Sequence, residues 1–260
     1  MSDIKVGLQL YTVRDAAQEN FFGVLAQVKA MGYDYVEFTA DFFGKSAKEV
    51  RAELDRLGLK AVCAHVPLEL FREDTAAAIA RFRTLGCTYL AVPWLAPELR
   101  PGTPAWPGVV EEIKVIAKAC KDAGVTLLYH NHDFEFVKID GEYALDRLFA
   151  DIPADLLQTE IDTCWVKFSG VDPAGYVRGY AGRAPIVHLK DFVRVEEGGA
   201  HGMSLELRPL GLGCQDVASL LAASEAAGAE YVIVEQDFSP GRPSVEAARI
   251  SRECLRKLGH

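Results

Sequence analysis

Eight short runs rich in β-branched and aromatic residues recur along the chain, separated by longer segments with apolar residues at helical spacing. The runs are VGLQLY 6–11, YVEF 35–38, KAVCAH 60–65, TYLAVP 88–93, VTLLYH 125–130, LLQTEID 156–162, PIVHLKD 185–191 and YVIVEQD 231–237. The helical segments fall at 18–31, 46–57, 73–85, 107–123, 142–150, 172–181, 215–227 and 243–258. In AMGYDYV, RLGLKAV, TLGCTYL, DAGVTLL and AAGAEYV a glycine stands between helix and strand, where the left-handed C′ position ends a helix. Strands this apolar are covered on both faces, as in parallel sheets. Repeated βα units in 260 residues suit a closed eight-stranded barrel, which takes ~250. An open doubly wound sheet is the alternative, but no GxGxxG follows the first strand. The expectation is an α/β protein, a single (β/α)8 TIM barrel over residues 1–260.

Half the residues are hydrophobic and a quarter charged, enough apolar content for a large core and against disorder. The net charge of −9, with scattered Lys and Arg, leaves no basic face for a phosphate backbone, so nucleic acid is not an expected partner. Six cysteines stand far apart without a CxxC pair, the usage of reduced thiols in a cytosolic protein. MSDIKVGLQL lacks the h-region of a signal peptide, and no run reaches the ~18 apolar residues of a membrane span. These features place the protein in the cytoplasm, away from membranes.

In LLYHNHDFEF, residues 127–136, an apolar strand runs into two imidazoles, groups that cost a few kcal/mol each to bury unpartnered. Barrel enzymes carry their chemistry at the C-terminal ends of the strands. The residues there include Tyr11, Glu37, His65, Trp94, His130, Asp162, His188 and Glu235. His130, Asp162, His188 and Glu235 come from the fifth to eighth strands. Two nitrogens and two carboxylates converging on one mouth suit a divalent ion, Mn2+ foremost among Mn2+, Mg2+, Co2+, Zn2+ and Fe2+. The plainer reading is that His65 or His201 is satisfied by hydrogen bonds, that Glu37 pairs with a barrel Lys or Arg, and that Glu160 is a buried structural carboxylate. It weakens for four ligand types at one end of the barrel.

At these residues the chain resembles the xylose isomerase-like superfamily of sugar isomerases and epimerases, which includes D-tagatose 3-epimerase-type enzymes, hydroxypyruvate isomerases and inosose dehydratases. The resemblance runs from VGLQLYTVRD to the final helix. It implies a metal held by a strand-five Glu, a strand-six Asp, a strand-seven His and a strand-eight Glu. EIDTCW offers Asp162, IVHLKD offers His188 and VIVEQD offers Glu235, while His130 stands where the strand-five Glu is expected. Arg194, six residues beyond His188, matches a family Arg that binds substrate oxygens, and RPLGLGCQD 208–216 is similar to the family's Pro-Gly-x-Gly turn. Trp165 stands where the epimerases have a second His. The inosose dehydratases are similar in their His-rich strand-five end. The resemblance also makes a homodimer or homotetramer an expectation.

The chemistry so implied is proton abstraction next to a carbonyl of a small sugar or polyol through a metal-stabilised enediolate, by an isomerase or epimerase. Glu235 is the expected base, His130 a ligand or proton donor, and Lys190 a group that touches substrate or forms a salt bridge to Asp162, Glu160 or Asp191. Tyr11, Glu37, His65, Trp94, His132 and Arg194 are the expected substrate-binding residues, and His132 is an alternative strand-five ligand. Residues 192–213 read as a flap over the site or a solvated hairpin. An inosose dehydratase-like lyase is the alternative within enzymology, and a non-catalytic sugar-binding barrel the alternative outside it. An AP endonuclease of the same barrel family is disfavoured by the acidic balance.

Overall fold

The computed structural model describes residues 4–196 and 204–260. Within them eight parallel strands form one sheet: β1 (Lys5–Gln9), β2 (Tyr35–Phe38), β3 (Lys60–Ala64), β4 (Tyr89–Val92), β5 (Thr126–His130), β6 (Leu157–Asp162), β7 (Ile186–Leu189) and β8 (Tyr231–Val234). Their order is 3-2-1-8-7-6-5-4. The seam between β3 and β4 is drawn together by the His65–Ala91 bridge and by Val66 N–H donating to Ala91 O at 2.8 Å. The result is the TIM barrel expected from the repeat.

Helices lie between the strands: α1 (Arg14–Ala30), α2 (Ala47–Leu57), α3 (Leu68–Leu85), α4 (Trp106–Asp122), α5 (Ala144–Asp151), α6 (Thr163–Phe168), α7 (Pro173–Gly179), α8 (Val217–Ala226) and α9 (Ser244–Lys257). The first and third begin earlier than the apolar spacing predicts because each is two helical pieces joined at a kink, at Asn20 and Asp74. The Asn20 side chain accepts from Gly23 N–H at 3.0 Å and that of Asp74 from Ala77 N–H at 2.9 Å. Those internal N-caps are the start signals visible in the sequence. None of the described helices is long and apolar enough to cross a membrane.

Alternation along each strand sorts the residues. Leu8, Val36, Leu90, Leu127, Ile161, Val187 and Val232 turn outward into the core shared with the helices. Inward residues form layers. The lower layer holds Val62, Cys63, Ala91, Leu128, Ile186 and Ile233, with Tyr35, Tyr89 and Tyr231 packed beneath. A Cβ on Gly7 would meet Ile233 Cδ1 at 2.5 Å and Tyr35 O at 3.2 Å, so glycine on β1 leaves the space that Ile233 fills in the lower layer. One step further along the strands the inward positions become Gln9, Glu37, His130, Glu160, Asp162, His188 and Glu235, all buried. An apolar plug thus supports a polar upper layer.

Candidate metal centre

The stretch after β5 is resolved residue by residue. Tyr129 points outward, and its hydroxyl donates to Glu135 Oε1 at 2.8 Å, while Glu135 Oε2 accepts the His132 N–H at 2.8 Å. Burial raises the Glu135 carboxyl to about 8. Asn131 clamps β5 to the end of β6, accepting the Asp162 N–H at 3.0 Å and donating to Asp162 O at 3.3 Å. His130 alone turns into the barrel. His132 is half-buried, its ring stacked on Phe134 at 5.6 Å and on Trp165 at 5.2 Å.

Asp162 has two tasks. Its Oδ1 caps α6 by accepting from Cys164 N–H at 2.8 Å and Trp165 N–H at 3.3 Å, which fixes the carboxylate and leaves Oδ2 facing the mouth. There Oδ2 lies 3.7 Å from His130 Nε2 and 3.0 Å from Lys190 Nζ, with no well-directed hydrogen bond. Glu235 Oε2 lies 3.1 Å from His188 Nδ1 and 2.8 Å from Lys190 Nζ. Ligand atoms of His130, Asp162, His188 and Glu235 all fall within 4.8 Å of one another, and the four residues are buried. The four side chains named from the sequence are brought together.

Below them lies a second cluster. Glu160 Oε1 is 2.7 Å from His65 Nε2, 3.0 Å from His130 Nδ1 and 3.3 Å from His188 Nε2. Glu37 Oε1 is 2.9 Å from both His65 Nε2 and His188 Nε2, and accepts from Gln9 Nε2 at 2.5 Å. Glu37 is fully buried and paired with imidazoles rather than with a Lys or Arg. His65, 9% exposed, belongs to the same floor. Burial opposes charge on His65 and His188, but Glu37 and Glu160 outweigh it, lifting His65 to about 10 and His188 well above the usual imidazole range. Burial together with those charged neighbours pushes His130 well below it, so His130 is neutral and offers a lone pair.

Lys190 is 1% exposed, and its ammonium also lies 2.9 Å from Asp237 Oδ2, a residue the sequence reading passed over. Of the three partners proposed for it, Asp162 is in contact. Asp191 faces away: Oδ2 accepts from Gly211 and Gly213 N–H, and Oδ1 from Phe192 and Gln215 N–H, all at 2.9–3.0 Å, which anchors the glycine turn 208–216. Burial alone would raise Glu235, but Lys190 and His188 outweigh it and hold the carboxyl well below its ordinary value.

The remaining expected substrate residues lie farther out. Tyr11 follows β1, 37% exposed, under the Arg14 guanidinium. Trp94 follows β4, 47% exposed, beneath Arg100. Arg194 is exposed and donates to Phe168 O at 3.0 Å. It sits on an antiparallel hairpin, Asp191–Arg194 with Leu205–Arg208, whose Phe192, Leu205 and Leu207 pack on Cys164 and Trp165. The base of the expected flap is thus a packed hairpin rather than a solvated one, while its tip, with His201, lies outside the described residues.

The donor set fits a divalent cation. Asp162, Glu235 and Asp237 carry three negative charges when ionised against Lys190 and His188, a neutral imidazole, His130, stands beside them, and Asp162 Oδ2 is a buried oxygen without a directed donor. The sequence profile of the xylose isomerase-like TIM barrel matches residues 25–258. The chain belongs to that family. An inosose dehydratase of Geobacillus kaustophilus is 27% identical over 191 residues, covering 65% of this chain and 61% of the relative. The chain thus spans about three-fifths of the length of that curated relative. Among solved structures, a sugar phosphate isomerase/epimerase from Parabacteroides distasonis superposes with a TM-score of 0.81 at 20% identity, covering 98% of this chain and 94% of its own. The IOLI protein with a bound zinc atom superposes with a TM-score of 0.74 at 14% identity, covering 98% of both chains.

Proposed function

We propose that the protein is a metal-dependent isomerase or epimerase that removes a proton next to a carbonyl of a small sugar or keto-sugar and returns it. The observation that carries this reading is the convergence of His130, Asp162, His188 and Glu235 around one buried point at the mouth of the barrel. These four side chains would hold the ion. A divalent cation there supplies Lewis acidity to substrate oxygens, which acidifies the intervening C–H.

The chain's own groups do the rest. Glu235 is ionised at neutral pH and takes the proton onto its carboxylate. Lys190, 2.8 Å from that carboxylate, holds it in place and opposes negative charge developing on the substrate. His132 is kept neutral, its value pushed down to about 3 by burial and by Lys190, its ring stacked between Phe134 and Trp165. Tyr11 and Trp94 present flat exposed faces to a sugar's C–H surface, and Arg194 is the outermost polar contact.

A second reading, dehydration of an inosose-like ketone, is favoured by two observations. The curated relative is an inosose dehydratase, and the mouth carboxylates Asp162, Glu235 and Asp237 all come from the β6 and β8 strand ends, with His130 rather than a carboxylate on β5. Glu235 would take the proton α to the carbonyl, and the β-hydroxyl would leave as water with a proton from Lys190. The deciding experiment incubates Mn2+-loaded protein in D2O with a panel of ketoses and with inosose. Deuterium entering the α-carbon without loss of water supports the isomerase, and consumption of inosose with loss of water supports the lyase. Neither event, with ligand affinity unaffected by chelator, leaves a non-catalytic sugar-binding barrel.

A further inference from the structure

His130 and His188 each touch a different carboxylate with each ring nitrogen. The Nε2 of His130 and the Nδ1 of His188 face Asp162 and Glu235 at the mouth, while the opposite nitrogens face Glu160 and Glu37 in the floor. We propose that Glu160 and Glu37 are positioning residues that fix which nitrogen each ring offers to a metal: Nε2 for His130, Nδ1 for His188. The inference rests on the metal-site reading above and adds to it the residues that set ligand orientation.

Three features carry it. Hydrogen bonds hold both carboxylates: Glu37 Oε1 accepts from Gln9 Nε2 at 2.5 Å, and Glu160 is held by His65 Nε2 at 2.7 Å and Cys63 Sγ at 3.4 Å. Their partners are imidazoles, cationic at His65 and His188 and neutral at His130, so these are not ordinary buried pairs with Lys or Arg. A ring nitrogen that donates to a carboxylate leaves its other nitrogen as the ligand, and the carboxylate makes that ligand more basic.

The floor could in principle hold an ion of its own, since His65, His130, Glu160 and His188 also offer ligand atoms within 4.8 Å of one another. That arrangement needs the same two rings through their opposite nitrogens, so both places cannot be filled while the imidazoles keep a proton. Glu160 Oε1 is already surrounded by three imidazole nitrogens at 2.7, 3.0 and 3.3 Å, whereas Asp162 Oδ2 has no directed donor. The floor atoms without a directed hydrogen bond are Glu37 Oε2 and His188 Nε2, the latter 2.9 Å from Glu37 Oε1, so it is the engagement of Glu160 Oε1 that makes the mouth the better place for an ion and the floor its frame.

The test uses zinc with the full chain. Long-range 1H–15N spectra of zinc-loaded wild type should show His188 bound through Nδ1 with a proton on Nε2, and His130 bound through Nε2 with a proton on Nδ1. Attachment through the opposite nitrogens overturns the proposal. Zinc dissociation constants are then measured for Glu37→Gln, Glu160→Gln and Asp162→Asn. Removing a carboxylate behind a ligating histidine typically weakens metal binding roughly 10–100-fold, the expected result for the first two with one ion still bound per chain. If Asp162→Asn loses zinc while both Gln variants bind like wild type, the positioning role is wrong and the metal site stands. If wild type binds no zinc, or Asp162→Asn binds as tightly as wild type, the site itself is wrong and the positioning role goes with it. Should a Gln variant not fold, the wild-type spectra decide alone.

Discussion

Replacing Lys190 by Met removes the one ammonium among three buried or nearly buried carboxylates while keeping an apolar stem of similar length. Lys190 Nζ lies 3.0 Å from Asp162, 2.8 Å from Glu235 and 2.9 Å from Asp237, and it is 1% exposed. Losing one partner of a buried ion pair costs about 3–5 kcal/mol, because the other is left uncompensated. At an unfolding entropy of ~2.1 cal/mol/K per residue, that range lowers the Tm of a 260-residue chain by roughly 5–9 °C. The same substitution frees Asp162 Oδ2 and Glu235 Oε2 from a competing cation, so Mn2+ should bind more tightly. At an ion concentration 100 times its Kd, binding restores about 2.7 kcal/mol. Thermal unfolding of both proteins in chelator and in Mn2+ reads both effects. The expected outcome is a large deficit in chelator that narrows with Mn2+. Equal stability in chelator, or a deficit indifferent to Mn2+, refutes the view that ammonium and metal share these oxygens.

Asp191→Asn should destabilise the fold by about 3 kcal/mol in urea titrations, since one oxygen facing two backbone N–H groups becomes a donor and charge-assisted bonds of ~1.5–3 kcal/mol are lost. Glu135 is raised from 4.5 to about 8 in the folded protein, so the native state holds an extra proton between those values and stability falls as pH rises from about 4.5 to 8. Urea midpoints of Glu135→Gln across that window should lack this decline, and an unchanged slope would assign it to another group. Glu235→Gln should fold and keep part of its metal affinity but lose turnover; normal turnover removes Glu235 from the base role.

The barrel was legible because one signal repeats: eight apolar runs alternating with helical segments, most of the runs closed by a polar residue at the C-terminal end. The mouth residues were legible for the same reason, since alternation sends His130, Asp162, His188 and Glu235 inward together. Depth was harder to read. Glu160 and Asp162 lie two apart on one strand face and look equivalent in sequence, yet Glu160 ends in the floor and Asp162 at the rim. Asp237 continues the inward alternation from Glu235, a signal present but unused. Alternation also excludes Asp191 as a partner of Lys190, the inward residue beside it. Trp165 stands on α6, six residues long and too short for a helical period to show. Its start is marked only by the Asp162 cap, which reads first as a metal ligand.

Anomalous-scattering density from Mn2+-loaded crystals tests the central claim most directly. One peak should lie among His130 Nε2, Asp162 Oδ2, His188 Nδ1 and Glu235 Oε2. No peak in the barrel, or a peak in the floor between His65 and Glu160, contradicts the account.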